Sequence, residues 1–295
     1  MNNQELDSRI SYVNDILNIT MPKVSGLQST VLDAMNYSMS AGGKRVRPIL
    51  MLETYKMFKD DWKDNQVLNN CMCALEMIHT SSLVHDDLPA VDNDDYRRGK
   101  PTTHKQYGEQ IGIYAGDALL NFAYETMLSV VPGADVNTQL LACSILARKA
   151  GVYGMLGGQT VDVALTGQPI DEQQLDFIFK LKTGALIESA MMAGAALAGA
   201  DNETIELCGR AGLYIGLAFQ IQDDILDVTS TTEELGKPVL SDDKNNKTTY
   251  VTLYGMEKSV EDVSRYSMQA LDIIKSLGKN EFLIDYVEYL INRKN

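Results

Sequence analysis

The chain has 295 residues, 45% of them hydrophobic, and a formal net charge of −14 at pH 7. That apolar content excludes a disordered chain and permits a large buried core, while the acidic balance argues against nonspecific nucleic-acid binding. Cys71, Cys73, Cys143 and Cys208 are too sparse for the disulfide framework of a small secreted domain, and Cys71-x-Cys73 has no second pair to complete a zinc site. They are expected as reduced core thiols. The opening MNNQELDSRI has no basic flank followed by an apolar run, and the longest apolar stretch, 190–200, is far shorter than the roughly 20 residues of a membrane span. A soluble, cytoplasmic protein without stable membrane insertion is the expectation.

Helical periodicity runs along the chain. It predicts helices over 3–18, 25–39, 46–58, 65–88, 103–130, 136–149, 153–166, 172–199, 203–228, 257–276 and 280–292. Pro22, Gly42-Gly43, Pro101, Pro132-Gly133 and Gly167 with Pro169 supply the breaks. Asp171, and either Asp201 or Asn202, are N-cap candidates. Strand-like alternation is scarce, no repeat is visible, and the obvious polar insert lies between Thr229 and Thr249. These features predict one all-α domain over 1–295, a bundle of long helices around a deep central cavity.

Two aspartate clusters stand out. Asp86-Asp87-Leu88-Pro89-Ala90-Val91-Asp92 follows an apolar helix, and Pro89 predicts a turn that returns Asp92 towards Asp86. Asp223-Asp224-Ile225-Leu226-Asp227 lies near the end of another, with Asp223 and Asp227 sharing a face at i,i+4. Crowded carboxylates repel one another, and a hard cation such as magnesium relieves that repulsion through oxygen ligands, water and phosphate oxygens. One acidic cluster alone is more often a solvated helix end. Two, each closing an apolar helix, point to a metal-bridged diphosphate site.

Cations accompany them. Gly42-Gly43-Lys44-Arg45-Val46-Arg47-Pro48 places three at a loop-to-helix junction, where a diphosphate could use lysine charge, guanidinium hydrogen bonds and helix N–H groups. It is not a P-loop, because the spaced glycine and the Ser/Thr after Lys44 are missing. Arg97-Arg98-Gly99-Lys100 follows the first cluster, and Lys182-Thr183-Gly184 interrupts a long helix where Gly184 permits a distorted turn. Gln220 precedes Asp223 by nearly a turn, and His79 precedes Asp86 by two turns. Taken singly, these are ordinary surface cations, a polar helix residue and a core histidine.

In this combination and order, from GGKRVRP at 42–48 to KTTY at 247–250, the chain resembles the trans-isoprenyl diphosphate synthases (polyprenyl synthetases) of the bacterial farnesyl and geranylgeranyl type. The resemblance implies the isoprenoid synthase fold, a homodimer, and several Mg2+ ions held by Asp86, Asp87, Asp92, Asp223, Asp224 and Asp227. It implies that Lys44, Arg47, His79 and Arg98 bind isopentenyl diphosphate, and that Arg97, Lys182, Thr183, Gln220, Lys237 and Lys247 surround the allylic diphosphate and its cation. The insert over 229–249 becomes a candidate lid.

The implied reaction ionises an allylic diphosphate, adds isopentenyl diphosphate to the cation and passes a proton to the released diphosphate, so no dedicated protein base is needed. Dimethylallyl and geranyl starters then give farnesyl diphosphate. Ser81 and Ser82, five and four residues before Asp86, are the candidate chain-length gate. Farnesyl-producing relatives commonly carry a bulky aromatic at the position of Ser81, so a geranylgeranyl or longer product is the alternative. A terpene cyclase shares the fold but usually has a different second metal motif. A noncatalytic partner subunit is expected to have lost a cluster or its cations, and this chain keeps them all.

Overall fold

The computed structural model describes residues 2–63, 65–229, 248–278 and 280–291. Its organisation follows from one helix that is apolar all round. In α10 (Ala185–Leu197) every side chain except Glu188 is buried, and such a helix can only be the centre of a bundle. The apolar stretch over 190–200 is thereby largely a core element. Around it pack α3 (Val46–Lys56), α4 (Gln66–Asp86), α7 (Val136–Ala150) and α11 (Asn202–Thr229). Contact is backbone-close, since a Cβ on Gly194 would stand 2.4 Å from the Met51 carbonyl oxygen. Helices α1 (Asn3–Thr20) and α2 (Ser29–Met39) cover α4.

Helix α6 (Glu109–Met127) runs antiparallel to α4: Asn70 Nδ2 donates to Ser129 Oγ at 2.8 Å, while the His85 ring lies where a Cβ on Gly116 would fall. A 22-residue amphipathic helix, Met256–Leu277, packs along α11, and the last described helix, Glu281–Ile291, lies on α3 and α11. The four cysteines are buried and unpaired, as expected of core thiols.

Several boundaries differ from the periodicity, each for a local reason. The helix predicted from residue 25 starts at Ser29, because Gly26 turns the chain at φ 78°. The segment predicted as one helix over 103–130 is α5 (Thr103–Tyr107) and then α6, separated by Gly108 at φ 91°. The long helix over 172–199 is α9 (Glu172–Ile178), opened by a capping box between Asp171 and Gln174, then a π-turn over Phe179–Gly184, then α10. The distortion expected at Gly184 is therefore present, but its cause is different. Gly184 has ordinary helical angles, φ −64° and ψ −41°, and its missing side chain instead lets Gly216 of α11 approach, where a Cβ would stand 2.8 Å from the Gly184 Cα.

A two-strand hairpin, β1 (Tyr96–Arg97) and β2 (Lys100–Pro101), was not anticipated. Its turn residues Arg98 and Gly99 both have positive φ, 53° and 76°, as a type I′ turn requires.

The stretch Val136–Ala164 is long and apolar enough to cross a membrane by length and composition, although only 28% of its most apolar window is buried. The chain breaks it at Gly151 and Gly154, between α7 and α8 (Met155–Ala164).

The α10–α3 contact has a direct test. Gly194→Ala should lower the free energy of unfolding by about 1–3 kcal/mol, measured by urea denaturation, because the added methyl meets a backbone oxygen.

Candidate active site

Four segments carry the functional side chains: the end of α4 with its following hairpin, the loop into α3, α8 with the π-turn, and the last turns of α11. Helix α4 stops at Asp86, and the Asp92 amide donates to the Asp86 carbonyl at 2.9 Å, so the first cluster folds back on itself as Pro89 required.

The cluster's first two carboxylates have different partners. Asp87 is buried and grips Arg97, whose Nε and Nη2 donate to Oδ1 at 2.7 and 2.5 Å. Burial opposes the charge on Arg97, but these hydrogen bonds outweigh it and raise the guanidinium's pKa. Asp86 instead accepts from Gln159 Nε2 at 2.7 Å. Burial pushes its carboxyl up to about 6, with Lys182 opposing and Asp92 adding to the shift.

The hairpin sorts two adjacent arginines. Arg97, on β1, turns to Asp87, while Arg98, at the turn, reaches the GGKRVRP loop and donates to the Gly42 carbonyl. A Cβ on Gly43 would stand 2.7 Å from Arg98 Nη1, so that glycine makes room for the guanidinium.

Within the loop itself the cations divide. Arg45 is a structural cation, 5% exposed, paired with buried Glu76 at 2.8 Å and donating to Asn14 and the Met39 carbonyl. Lys44 is exposed. Burial lowers Arg47 to about 10 against the opposing pull of Glu76. Burial, then the guanidiniums of Arg47, Arg98, Arg97 and Arg45, hold the His79 imidazole well below the usual histidine range. Lys44, Arg47, His79 and Arg98 thus belong to one electropositive corner.

The second half of the site borders a cavity of about 290 Å³. One wall is polar, with Lys182, Thr183, Gln220, Asp223 and Asp224; the other includes Leu165, Ile170, Leu175, Ile178 and Phe179. Lys182 Nζ meets Asp162 Oδ2 at 2.5 Å, and Thr183 Oγ1 donates to Gln220 Oε1 at 2.8 Å. Asp224, 5% exposed, accepts from the Tyr250 amide at 2.6 Å, which ties α11 to the helix Tyr250–Tyr254. Asp227 is buried at 3% exposure. Among the described residues no three His, Cys, Asp or Glu side chains form a ready-made metal cage. The donor set is nonetheless carboxylate oxygen, and magnesium takes one or two carboxylates with water and phosphate oxygens rather than an all-protein cage.

Ser81 is buried on the α4 face shared with His85, and the antiparallel pairing sets it near the level of Leu119. Ser82 lies one turn from Asp86, and its hydroxyl donates back to the His79 carbonyl at 2.8 Å. Lys237 and Lys247, and nearly all of the 229–249 insert, lie outside the described residues.

Sequence reasoning passed over Glu76, Gln159 and Asp162. The signal for the last two was Gly157-Gly158 inside a helix, where glycine is costly unless two backbones touch. A Cβ on Gly158 would stand 2.3 Å from the Lys182 amide nitrogen.

Residues 28–282 match the polyprenyl synthetase family model. The chain is 40% identical over 292 residues to a geranylgeranyl diphosphate synthase of Cyanophora paradoxa, covering 98% of this chain and 96% of that protein. It is 39% identical to a farnesyl diphosphate synthase of Micrococcus luteus, over 98% of this chain and 99% of that one. A geranyltransferase from Helicobacter pylori, solved with magnesium and isoprenyl diphosphate, superposes with a TM-score of 0.83 at 27% identity, covering 99% and 98% of the two chains. The chain belongs to the polyprenyl synthetase family. Its fold is the all-α isoprenoid synthase fold, and it is a short-chain prenyltransferase of the farnesyl or geranylgeranyl diphosphate synthase type.

Asp86 yields a pH test. Its carboxyl ionises above about pH 4 in the unfolded chain but only above about 6 in the folded protein. Between these values the folded state holds the extra proton, so this group's contribution to stability falls as pH rises. In metal-free buffer Asp86→Asn should therefore melt above wild type at pH 7, with the gain shrinking towards pH 4. The same variant should lose about a hundredfold or more in turnover, measured by diphosphate release.

Proposed function

We propose that this protein joins isopentenyl diphosphate to dimethylallyl and then geranyl diphosphate to form farnesyl diphosphate, and carries the chain on to twenty carbons. The division of cations by the hairpin supports two diphosphate subsites: Arg98 with Lys44, Arg47 and His79 for isopentenyl diphosphate, and Arg97 with Lys182 for the allylic partner. Simple metal binding does not require that separation.

In this reading the six aspartates serve magnesium unequally. Asp87 and Asp224 already hold Arg97 and the Tyr250 amide, so they act first by fixing the site's shape. Magnesium, when bound, would neutralise charge on the diphosphate as it departs. Arg97 exchanges part of its hold on Asp87 for the allylic diphosphate, and Lys182 does the same from Asp162. Thr183 and Gln220 set polar oxygens beside the allylic cation. The wall from Leu165 to Phe179 keeps water from quenching it. His79, neutral because of burial and its arginine neighbours, positions the second substrate without adding to the charge. Lys237 and Lys247 remain assigned to the allylic diphosphate by resemblance.

Ser81 carries the chain-length reading, because a small residue one turn above His85 leaves room beside α6. Leu119, at the same level and fully buried, favours the second reading, termination at fifteen carbons. We assign the chain to a cytoplasmic homodimer acting as one domain over 1–295. The dimer assignment rests on exposed apolar residues Ile113 and Tyr114 of α6, Leu140 and Leu141 of α7 and Leu156 of α8.

Diphosphate release should require both substrates and magnesium. Release from the allylic substrate alone would mean a cyclase, and none at all a noncatalytic subunit. Chromatography should find a twenty-carbon product from wild type and mainly fifteen carbons from Ser81→Tyr; an unchanged distribution removes Ser81 as the gate. Light scattering should give twice the 32.6 kDa chain mass, with Leu141→Asp shifting it towards the monomer.

A further inference from the structure

Helix α8 contacts both halves of the site from one short stretch. Gly158 lets its backbone lie on the π-turn at Lys182. Gln159, the next residue, reaches Asp86, and Asp162, three residues on, takes Lys182. The Asp86 carboxylate fixes the orientation of the Gln159 amide. Nε2 donates to Oδ1 at 2.7 Å, and the reversed amide would set two acceptors against each other. Oε1 is consequently turned away from that oxygen, and it is buried without a hydrogen-bond partner.

A buried acceptor in that condition loses its solvation for no return. The ionised carboxylates beside it, Asp86 and Asp92, have no proton to give, and the Lys182 ammonium is engaged by Asp162. The missing partner is a donor that carboxylates themselves attract. A hydrated divalent cation fits, because magnesium sheds water reluctantly and its bound waters are donors.

We propose that Gln159 is a positioning residue for magnesium. Its Nε2 holds one oxygen of Asp86 and so leaves the other for the ion, while its Oε1 accepts from a water that the ion carries. The proposal rests on the function proposed above and adds to it a residue that touches neither substrate. Outer-sphere partners of this kind commonly change metal affinity by 10- to 100-fold when removed.

The probe is inorganic diphosphate titrated calorimetrically at a series of magnesium concentrations, with melting temperature measured in chelator. Gln159→Met, close in size and without either polar atom, should raise the half-saturating magnesium concentration about 10-fold or more. Its metal-free melting temperature should stay at or above that of wild type, since an unsatisfied oxygen is gone. Magnesium-independent binding of isopentenyl diphosphate should not change.

Gln159→Glu keeps an acceptor but sets a second carboxylate against Asp86. It should melt lower without metal and gain more from magnesium with diphosphate than wild type does. A magnesium requirement within twofold of wild type in Gln159→Met, or an equal magnesium-induced gain in Gln159→Glu, overturns the role of Gln159 alone. Wild type without magnesium-dependent diphosphate binding overturns the proposed function as well.

Discussion

Charge withdrawn from water must be paired, and that constraint organises the site of this protein before any substrate arrives. The ends of several helices bring carboxylates and guanidiniums into a partly desolvated space, where an unpartnered ion is expensive. Each half-buried cation has accordingly been given a carboxylate: Arg45 has Glu76, Arg97 has Asp87 and Lys182 has Asp162. The Arg45–Glu76 pair lies deepest and ties the loop into α3 to the middle of α4. The other two pairs lie nearer the opening, with Arg97 and Lys182 each about a third exposed. That difference separates a structural ion pair from pairs that a polyanion can compete for.

The second organising element is close backbone approach. Gly194 against Met51, Gly216 against Gly184 and Gly158 against Lys182 bring α10, α3, α11, α8 and the π-turn into contact without intervening side chains. Small residues set where the polar groups point, because shifting any of these contacts by a methyl group moves a helix that carries part of the site. Fold and chemistry are joined through glycines as much as through aspartates.

Much of this was legible in the amino-acid order. Helix content, the two aspartate clusters, the return of Asp92 and the break at Lys182-Thr183-Gly184 all follow from local pattern and turn chemistry. The hairpin at Tyr96–Pro101 was not legible, because two residues per strand carry no alternation and Arg98 at positive φ breaks the usual preference for glycine or asparagine. Glu76 and Gln159 were missed for another reason. Each lies in a helical pattern where a polar residue reads as solvent-facing, and only the packing of a distant helix turns it inward. Arg45 and Arg47 are two residues apart in one motif, yet one serves the fold and the other the site. That distinction depends on burial, which the motif does not encode.

The π-turn has a consequence for how the chain can change. A π-turn carries an extra residue relative to an α-helix over the same rise, and each α-helical residue turns the chain by about 100°. Losing one residue between Phe179 and Gly184 would restore a regular helix and rotate everything after it by that angle. Ala185–Leu197 is apolar all round and could tolerate the rotation in composition, but Gly194 would leave the Met51 carbonyl and Gly184 would leave Gly216. The length of this short segment is therefore under stricter inheritance than its residue types: point changes alter what the turn offers the substrate, whereas a deletion unthreads the centre of the bundle.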